Sequence, residues 1–436
     1  MEAKAEGGQT GSEPQTKPKL MLFDEILLPA NLHMAWQRVR QNKGSAGIDG
    51  ITLDDYPKWA KAHWQNTKRG LERGYYCPNP VRRVEIPKPN GGIRLLGIPT
   101  VNDRLIQQAV VQRLKPIIDP TFSEHSYGFR PYRSAHMAIK SVQSMIKAKH
   151  RYAVDIDLSK FFDQVDHDLL MYRLAKRIND KRLLALIGKY LRAGVSHNGK
   201  MEPTLKGVPQ GGPLSPLLAN IMLDDLDRYL ESKGYPFARY ADDFVIGTKT
   251  FAEGVRIKQE VETFLKTLKL PINEEKSQVV PVGELCFLGY QFKGRHLIWS
   301  RKSLNNFKHR IRQLTNRTWG VSWAYRYRKL REYVTGWMNY FAWVIFDPVE
   351  RLDYWIRRRI RMCYLKQWRK PRTRIRNLIK LGVSPRLAIS IGLSSKGYYR
   401  LAKTKAVQLG LTNKWLKAQG LVSLKEQWVK FRYPNG

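Results

Sequence analysis

Apolar positions recur at helical spacing from Leu20 to about Lys61, broken at Asn42–Gly50 (NKGSAGIDG), where three glycines predict a tight turn. Two short alternating segments follow, VRRVEIPKP and GIRLLGIPT, and the turn Pro89-Asn90-Gly91-Gly92 between them predicts a β-hairpin. Helical spacing returns over Val101–Ile118 and Ala135–Lys149, ahead of a strand at Tyr152–Leu158. Further helices are expected over Asp168–Leu191, Leu214–Lys233 and Ala252–Leu268, with a second hairpin at Phe237–Gly247 and short strands at Gln278–Val282 and Cys286–Phe292. Beyond Ser300 the strand signal fades, and a helical, Trp-rich region runs on with a joint near Pro371 or Pro385. This mixed order, without internal repeats, predicts an α+β fold. Residues 1–18 hold Gly, Ser, Pro, Gln and charge with almost nothing to bury, so a disordered tail is expected there.

At 436 residues and 42% hydrophobic, the chain can bury a core and form two to four domains. No apolar run approaches the ~20 residues that span a bilayer, and the first residues lack the apolar block of a signal peptide, which predicts a cytoplasmic protein. Cys77, Cys286 and Cys363 lie far apart with no CxxC pair, against a structural zinc or a disulfide framework; all three are expected to be reduced core residues. Charge changes the picture more. The 77 Lys+Arg against 37 Asp+Glu leave +40, a field that attracts polyanions. From Arg301 onward there are 32 Lys+Arg and 5 Asp+Glu, so the last third carries +27 of that charge.

The acids of the earlier part are concentrated in two places. In RYAVDIDLSKFFD the two-residue strand period puts Tyr152, Val154, Ile156 and Leu158 on one face and Ala153, Asp155 and Asp157 on the other. Such a strand needs a cation, an arginine or open solvent beside its acids. In FARYADDFVIG, Asp242 and Asp243 stand together between apolar arms, as expected of a hairpin with an acidic tip. Carboxylates held rigidly at such a tip suit hard divalent cations.

Tyr240-Ala241-Asp242-Asp243 resembles the YxDD signature of reverse transcriptases, and its ordered company strengthens the resemblance. Asp157 with Phe162 and Asp163 is similar to the family's first catalytic strand, and GVPQGGPLSPLLANI (Gly207–Ile221) to its template- and nucleotide-facing loop and helix. Leu268–Ser277 resembles the segment with a late lysine, and Phe287-Leu288-Gly289-Tyr290 the primer grip. NKGSAGIDG, RLLGIPTVNDRLIQQA, SYGFRPYRSA (Ser126–Ala135) and GWMNYF (Gly336–Phe341) resemble bacterial group II intron proteins in particular.

The resemblance implies a right-hand polymerase: fingers and palm over 19–295, a helical thumb or maturase domain over 296–380 and a basic nucleic-acid-binding segment over 381–436. It implies Asp157, Asp242 and Asp243 as ligands of two magnesium ions, with manganese as a substitute, while Asp155 has no matching role. Phe162 would exclude the nucleotide 2′ hydroxyl, unless it only packs in the core, Gln210 would contact the incoming nucleotide, and Gly211 and Gly212 would let backbone approach a base or sugar. Lys88 and Arg94 would hold the triphosphate, unless they serve surface ion pairs, and Lys276 would protonate pyrophosphate, unless it is a solvated helix-end charge. The implied partners are group II intron RNA, primer–template, target DNA and dNTPs, in a bacterial cytoplasm or nucleoid. Nine of the twelve tryptophans, from Trp299 on, are interleaved with Arg and Lys as rings that stack on bases would be, although core packing is the commoner use of such spacing. No cysteine-paired nuclease module follows the basic segment, so second-strand cleavage is not expected. Two other tasks stay open: an RNA-binding splicing cofactor with a vestigial polymerase site, and a domesticated group II-like enzyme. Phe162 disfavours an RNA-copying RNA polymerase, which usually has a smaller or polar residue there.

Overall fold

The computed structural model describes residues 21–87 and 92–434. The expected tail at 1–18 lies outside them, as do Lys88 and all but Gly92 of the first hairpin turn. Eleven strands are β1 (Val81–Pro87), β2 (Ile93–Ile98), β3 (Tyr152–Asp157), β4 (Val195–His197), β5 (Lys200–Glu202), β6 (Phe237–Tyr240), β7 (Asp243–Thr248), β8 (Gln278–Pro281), β9 (Cys286–Phe287), β10 (Tyr290–Lys293) and β11 (His296–Trp299). They form three sheets, ordered β2-β1-β4-β5, β6-β7-β3-β8 and β11-β10-β9. Both expected hairpins are present: β1 pairs with β2 from Arg82 opposite Ile98 to Pro87 opposite Ile93, and β6 pairs with β7 up to Tyr240 opposite Asp243. Strands β4, β5 and β11 are additions; three or four residues each, they are too short for alternation to reveal.

Two compact units divide the chain. The first comprises Met1–Ser141, Asp155–Ile246 and Val255–Gln278. Its core is the Val101–Ile118 helix, buried along most of its length and capped by Thr100, whose hydroxyl accepts the Asp103 N–H. The expected helix at Asp168–Leu191 is two, His167–Ala175 and Lys181–Leu191. Asp180 divides them, because its carboxylate accepts the N–H groups of Arg182 and Leu183 and so starts a new helix. The Ser215–Ser232 helix is buried on both of its apolar flanks and carries inward-facing Asn220, Asp224 and Asp227.

The second unit comprises Val142–Val154, Gly247–Gly254 and Val279–Gly436. Within it, all secondary structure after Ser300 is helical, and helices begin at Pro371 and Pro385, the expected joints. An aromatic cluster organises its first part. Phe307 is fully buried and its ring centroid lies 5.5 Å from Trp299, 5.7 Å from Tyr333 and 5.0 Å from Trp337. Trp337 in turn stacks on Phe341 at 4.2 Å, and the Trp299 indole donates to the Phe341 carbonyl at 2.9 Å. Trp299 and Trp428 are buried and the other ten tryptophans are half-buried. Cys363 is buried as expected, but Cys77 and Cys286 are exposed: each lies beside a turn and points away from the core. Among the described residues no helix is long and apolar enough to cross a membrane.

Because Phe307 fills the middle of the cluster, Phe307→Ala should destabilise the second unit by about 3–5 kcal/mol. The exposed Leu393, changed to Ala, should cost less than ~1 kcal/mol. Denaturant unfolding followed by tryptophan fluorescence compares them; equal costs would show that the aromatic cluster is not the core of this unit.

Candidate active site

The acidic side chains sit where the ends of β3 and β7 meet loop. Asp155 and Asp157 are half-buried on β3. The Asp157 N–H donates to Ser277 Oγ at 3.1 Å, and its carbonyl accepts the Asn273 N–H at 2.7 Å, so the peptide units on both sides of its Cα are fixed. Asp242 occupies the two-residue turn between β6 and β7, and Asp243 opens β7. In that turn Ala241 has φ +60°, a left-handed conformation that costs an alanine about 1 kcal/mol or more and persists only where surroundings impose it. Those surroundings include Gly128 of the SYGFR segment, packed so closely on the Ala241 nitrogen that a Cβ there would collide with turn backbone.

The acids feel one another. Burial, then the Asp243 and Asp157 carboxylates, push Asp155 up to about 7. Burial likewise raises Asp242; its own backbone hydrogen bond opposes the shift, Asp157 adds to it, and the Arg94 and Arg239 guanidiniums oppose it. Lys276 Nζ lies 3.1 Å from Asp157 Oδ2. The structure thus places the late lysine in an ion pair with a catalytic candidate.

The Gly207–Gly212 loop is built onto the segment after β3. The Val208 N–H donates to the Phe162 carbonyl and the Gly207 N–H to the Val165 carbonyl, each at 2.7 Å, and the Phe162 ring is half-buried beside Phe161. The Gly97 N–H of β2 donates to the Gln210 carbonyl at 2.7 Å. Gly211 has φ +131°, and a Cβ there would lie 2.5 Å from the Gly97 carbonyl oxygen, so its freedom serves a close approach to the first hairpin's backbone. Arg94 on that hairpin is exposed, and its charge reaches Asp242. Phe162, Gln210, Arg94, Asp157, Asp242, Asp243 and Lys276 therefore belong to one unit; Lys88 lies outside the described residues.

The Phe287–Tyr290 segment lies in the second unit and forms a tight turn there. Leu288 and Gly289 are both left-handed (φ +50° and +83°), as a two-residue turn of this hand requires. GWMNYF clamps it: the Tyr340 hydroxyl donates to the Leu288 carbonyl at 2.9 Å, and the Tyr290 hydroxyl donates to the Tyr340 carbonyl. Ser303 Oγ adds a bond to the Gly289 carbonyl at 2.9 Å.

Sequence reasoning missed the polar residues that support the acidic turn. Arg239, Asp227, Asn220 and Ser126 are all buried and bonded to one another. The available signal was an arginine in an otherwise apolar strand, FARYADD, and aspartates on an apolar helix.

Among the described residues no three His, Cys, Asp or Glu side chains already converge on one point. The donors nonetheless suit a hard divalent cation: all are carboxylate oxygens, and burial together with the neighbouring carboxylates, which raises Asp155 and Asp242, disfavours the charged form that a dication would stabilise. A carboxyl raised in the folded state binds its proton more tightly there, so its contribution to stability falls as pH rises from the unfolded value near 4 through 7. In EDTA, Asp155→Asn should therefore raise the melting temperature at pH 8, and the difference should vanish near pH 4. A variant less stable than the parent at pH 8 would show that the Asp155 charge is not held at a cost.

Residues 86–292 match the model of the family described as "Reverse transcriptase (RNA-dependent DNA polymerase)", and residues 304–382 that of the "Group II intron, maturase-specific domain". Protein YkfC of Escherichia coli is 35% identical over 296 residues, covering 58% of this chain and 76% of its own. The group II intron-encoded protein LtrA of Lactococcus lactis is 36% identical over 277 residues, covering 63% of this chain and 44% of its own. A putative COX1/OXI3 intron 1 protein of Saccharomyces cerevisiae is 29% identical over 316 residues, 59% of this chain and 38% of its own. The chain thus spans less than half the length of these last two relatives. With a reverse transcriptase region that carries the acidic turn and a maturase-specific region after it, the chain belongs to the family of group II intron reverse transcriptases and maturases.

Proposed function

We propose that this chain is an active RNA-directed DNA polymerase, extending a primer with dNTPs on an RNA template, and that it binds group II intron RNA to assist splicing and mobility. The observation that supports this most is the electrostatic crowding of Asp155, Asp157, Asp242 and Asp243 in the unit that also holds the nucleotide-facing loop. In this reading Asp157, Asp242 and Asp243 offer oxygens to two magnesium ions, or to manganese in their place. Those ions, when bound, would supply Lewis-acid activation of the primer 3′ hydroxyl and neutralise the departing pyrophosphate. The residues do the rest. Arg94 and Lys88 hold the triphosphate, Gln210 contacts the incoming nucleotide, and the Phe162 ring meets the sugar where a 2′ hydroxyl would sit. Lys276 leaves Asp157 to donate a proton to pyrophosphate. The Phe287–Tyr290 turn grips the primer. Fingers and palm are assigned to 19–295, the thumb or maturase domain to 296–380 and a nucleic-acid-binding segment to 381–436. The +27 carried from Arg301 onward suits phosphate backbones, whether of intron RNA, primer–template or target DNA.

A second reading is a splicing cofactor whose polymerase site has lapsed. The Lys276–Asp157 ion pair favours it, since an ammonium there satisfies a carboxylate that catalysis needs.

Primer extension on an RNA template in magnesium, beside intron splicing, separates the two. The parent should incorporate dNTPs in strong preference to rNTPs, and Asp242→Asn should lose about a hundredfold or more in rate while splicing is retained. Equal extension by parent and variant would remove Asp242 from the site, and a parent that splices without extending would establish the second reading. Both activities should weaken steeply with added salt; a flat response would contradict a grip made on phosphates.

A further inference from the structure

Arg239 lies three residues before Asp242 on β6 and is fully buried. All five of its N–H groups are used. Nε donates to Asp227 Oδ1 at 2.7 Å and Nη2 to Asp227 Oδ2 at 2.5 Å, a bidentate pair. Nη2 also donates to Ser126 Oγ at 2.8 Å, and Nη1 donates to Asn220 Oδ1 and to the Ala241 carbonyl, both at 3.0 Å. Asn220 passes the network on, donating from Nδ2 to the Gly128 carbonyl at 2.8 Å. The Arg239 backbone is held as well: its N–H donates to the His125 carbonyl at 2.9 Å, and its carbonyl accepts the Tyr127 N–H at 2.8 Å.

A wish for stability alone does not explain this arrangement, because a buried ion pair is often no better than apolar residues of equal volume. Its geometry has a specific target. The Ala241 carbonyl belongs to the residue at φ +60°, and its peptide plane continues into the Asp242 nitrogen. Fixing that carbonyl fixes the plane from which the Asp242 side chain departs. The same guanidinium is joined to Asn220 and Asp227 of the Ser215–Ser232 helix, which follows directly on the nucleotide-facing loop. Only a planar fork can serve these acceptors together; an ammonium has three donors and no plane.

We propose that Arg239 is a positioning residue for the acidic turn, holding the strained Ala241–Asp242 peptide against the helix of the nucleotide-facing loop so that Asp242 meets its cation in register. The inference rests on the polymerase reading above for its consequence in catalysis, but not for its consequence in metal binding.

The test compares the parent with Arg239→Lys, Asn220→Ala and Asp242→Asn. Melting temperature, primer–template affinity, Mn2+ affinity by electron paramagnetic resonance, and kcat and KM for a dNTP are measured for each. Arg239→Lys keeps the charge opposite Asp227 and should bind primer–template as the parent does. It should lose about tenfold in Mn2+ affinity and about a hundredfold in kcat, with a smaller change in KM. Should Arg239→Lys not fold, Asn220→Ala decides, because it leaves the Arg239–Asp227 pair intact; a smaller loss in the same two quantities, at near-parental melting temperature, is expected. Parental Mn2+ affinity and kcat in either folded variant would overturn the proposal. A parent that binds Mn2+ through Asp242 yet incorporates no nucleotide would reject the polymerase reading, while the Mn2+ affinities of the other two variants would still decide the role of Arg239.

Discussion

Repulsion among carboxylates is the constraint to which the rest of this site answers. Asp155, Asp157, Asp242 and Asp243 are held partly out of water and within electrostatic reach of one another; burial first, and then the neighbouring carboxylates, push Asp155 up to about 7 and raise Asp242. A fold left to relax would let such groups part. This one prevents it with backbone: the peptide units on both sides of the Asp157 Cα are bonded, and the turn bearing Asp242 is held in a conformation that its alanine does not favour. The charge that opposes the repulsion comes from Lys276 at the surface and from Arg94 and Arg239 at longer range.

The supports converge from distant parts of the sequence. Gly128 closes on the turn from one side, the Ser215–Ser232 helix carries the acceptors for Arg239 on another, and Gly97 ties the first hairpin to Gln210. Small residues permit these close approaches and polar ones fix them. The second unit repeats the theme on its own scale, where Tyr340 and Ser303 lock the left-handed turn at Leu288 and Gly289 against an aromatic core.

Much of this was legible in the chain. The Val101–Ile118 helix, both hairpins and the helical character after Ser300 follow from periodicity, because each is long or bounded by strong turn residues. The acids were legible because charge is conspicuous on a strand. The short strands β4, β5 and β11 were not, since so few positions establish no period, and neither was the helix break at Asp180, where a single capping carboxylate decides. Arg239 carried no expectation; an arginine in an otherwise apolar strand marks it as unusual, but its role lies in the partners that surround it, which come from distant parts of the chain. The exposed Cys77 and Cys286 show the same limit from the other direction, since average cysteine behaviour says nothing of a residue beside a turn.

Whether the crowded acids are a cation site for nucleotidyl transfer decides what this chain does. Cryo-electron microscopy of the chain with an RNA template, a DNA primer and a non-hydrolysable dNTP in magnesium asks this directly. The expected result is metal density bridging the triphosphate to Asp157 and Asp242, with Lys276 drawn off Asp157. Triphosphate held elsewhere, or seated there with the Lys276–Asp157 pair intact and no metal between, would contradict it.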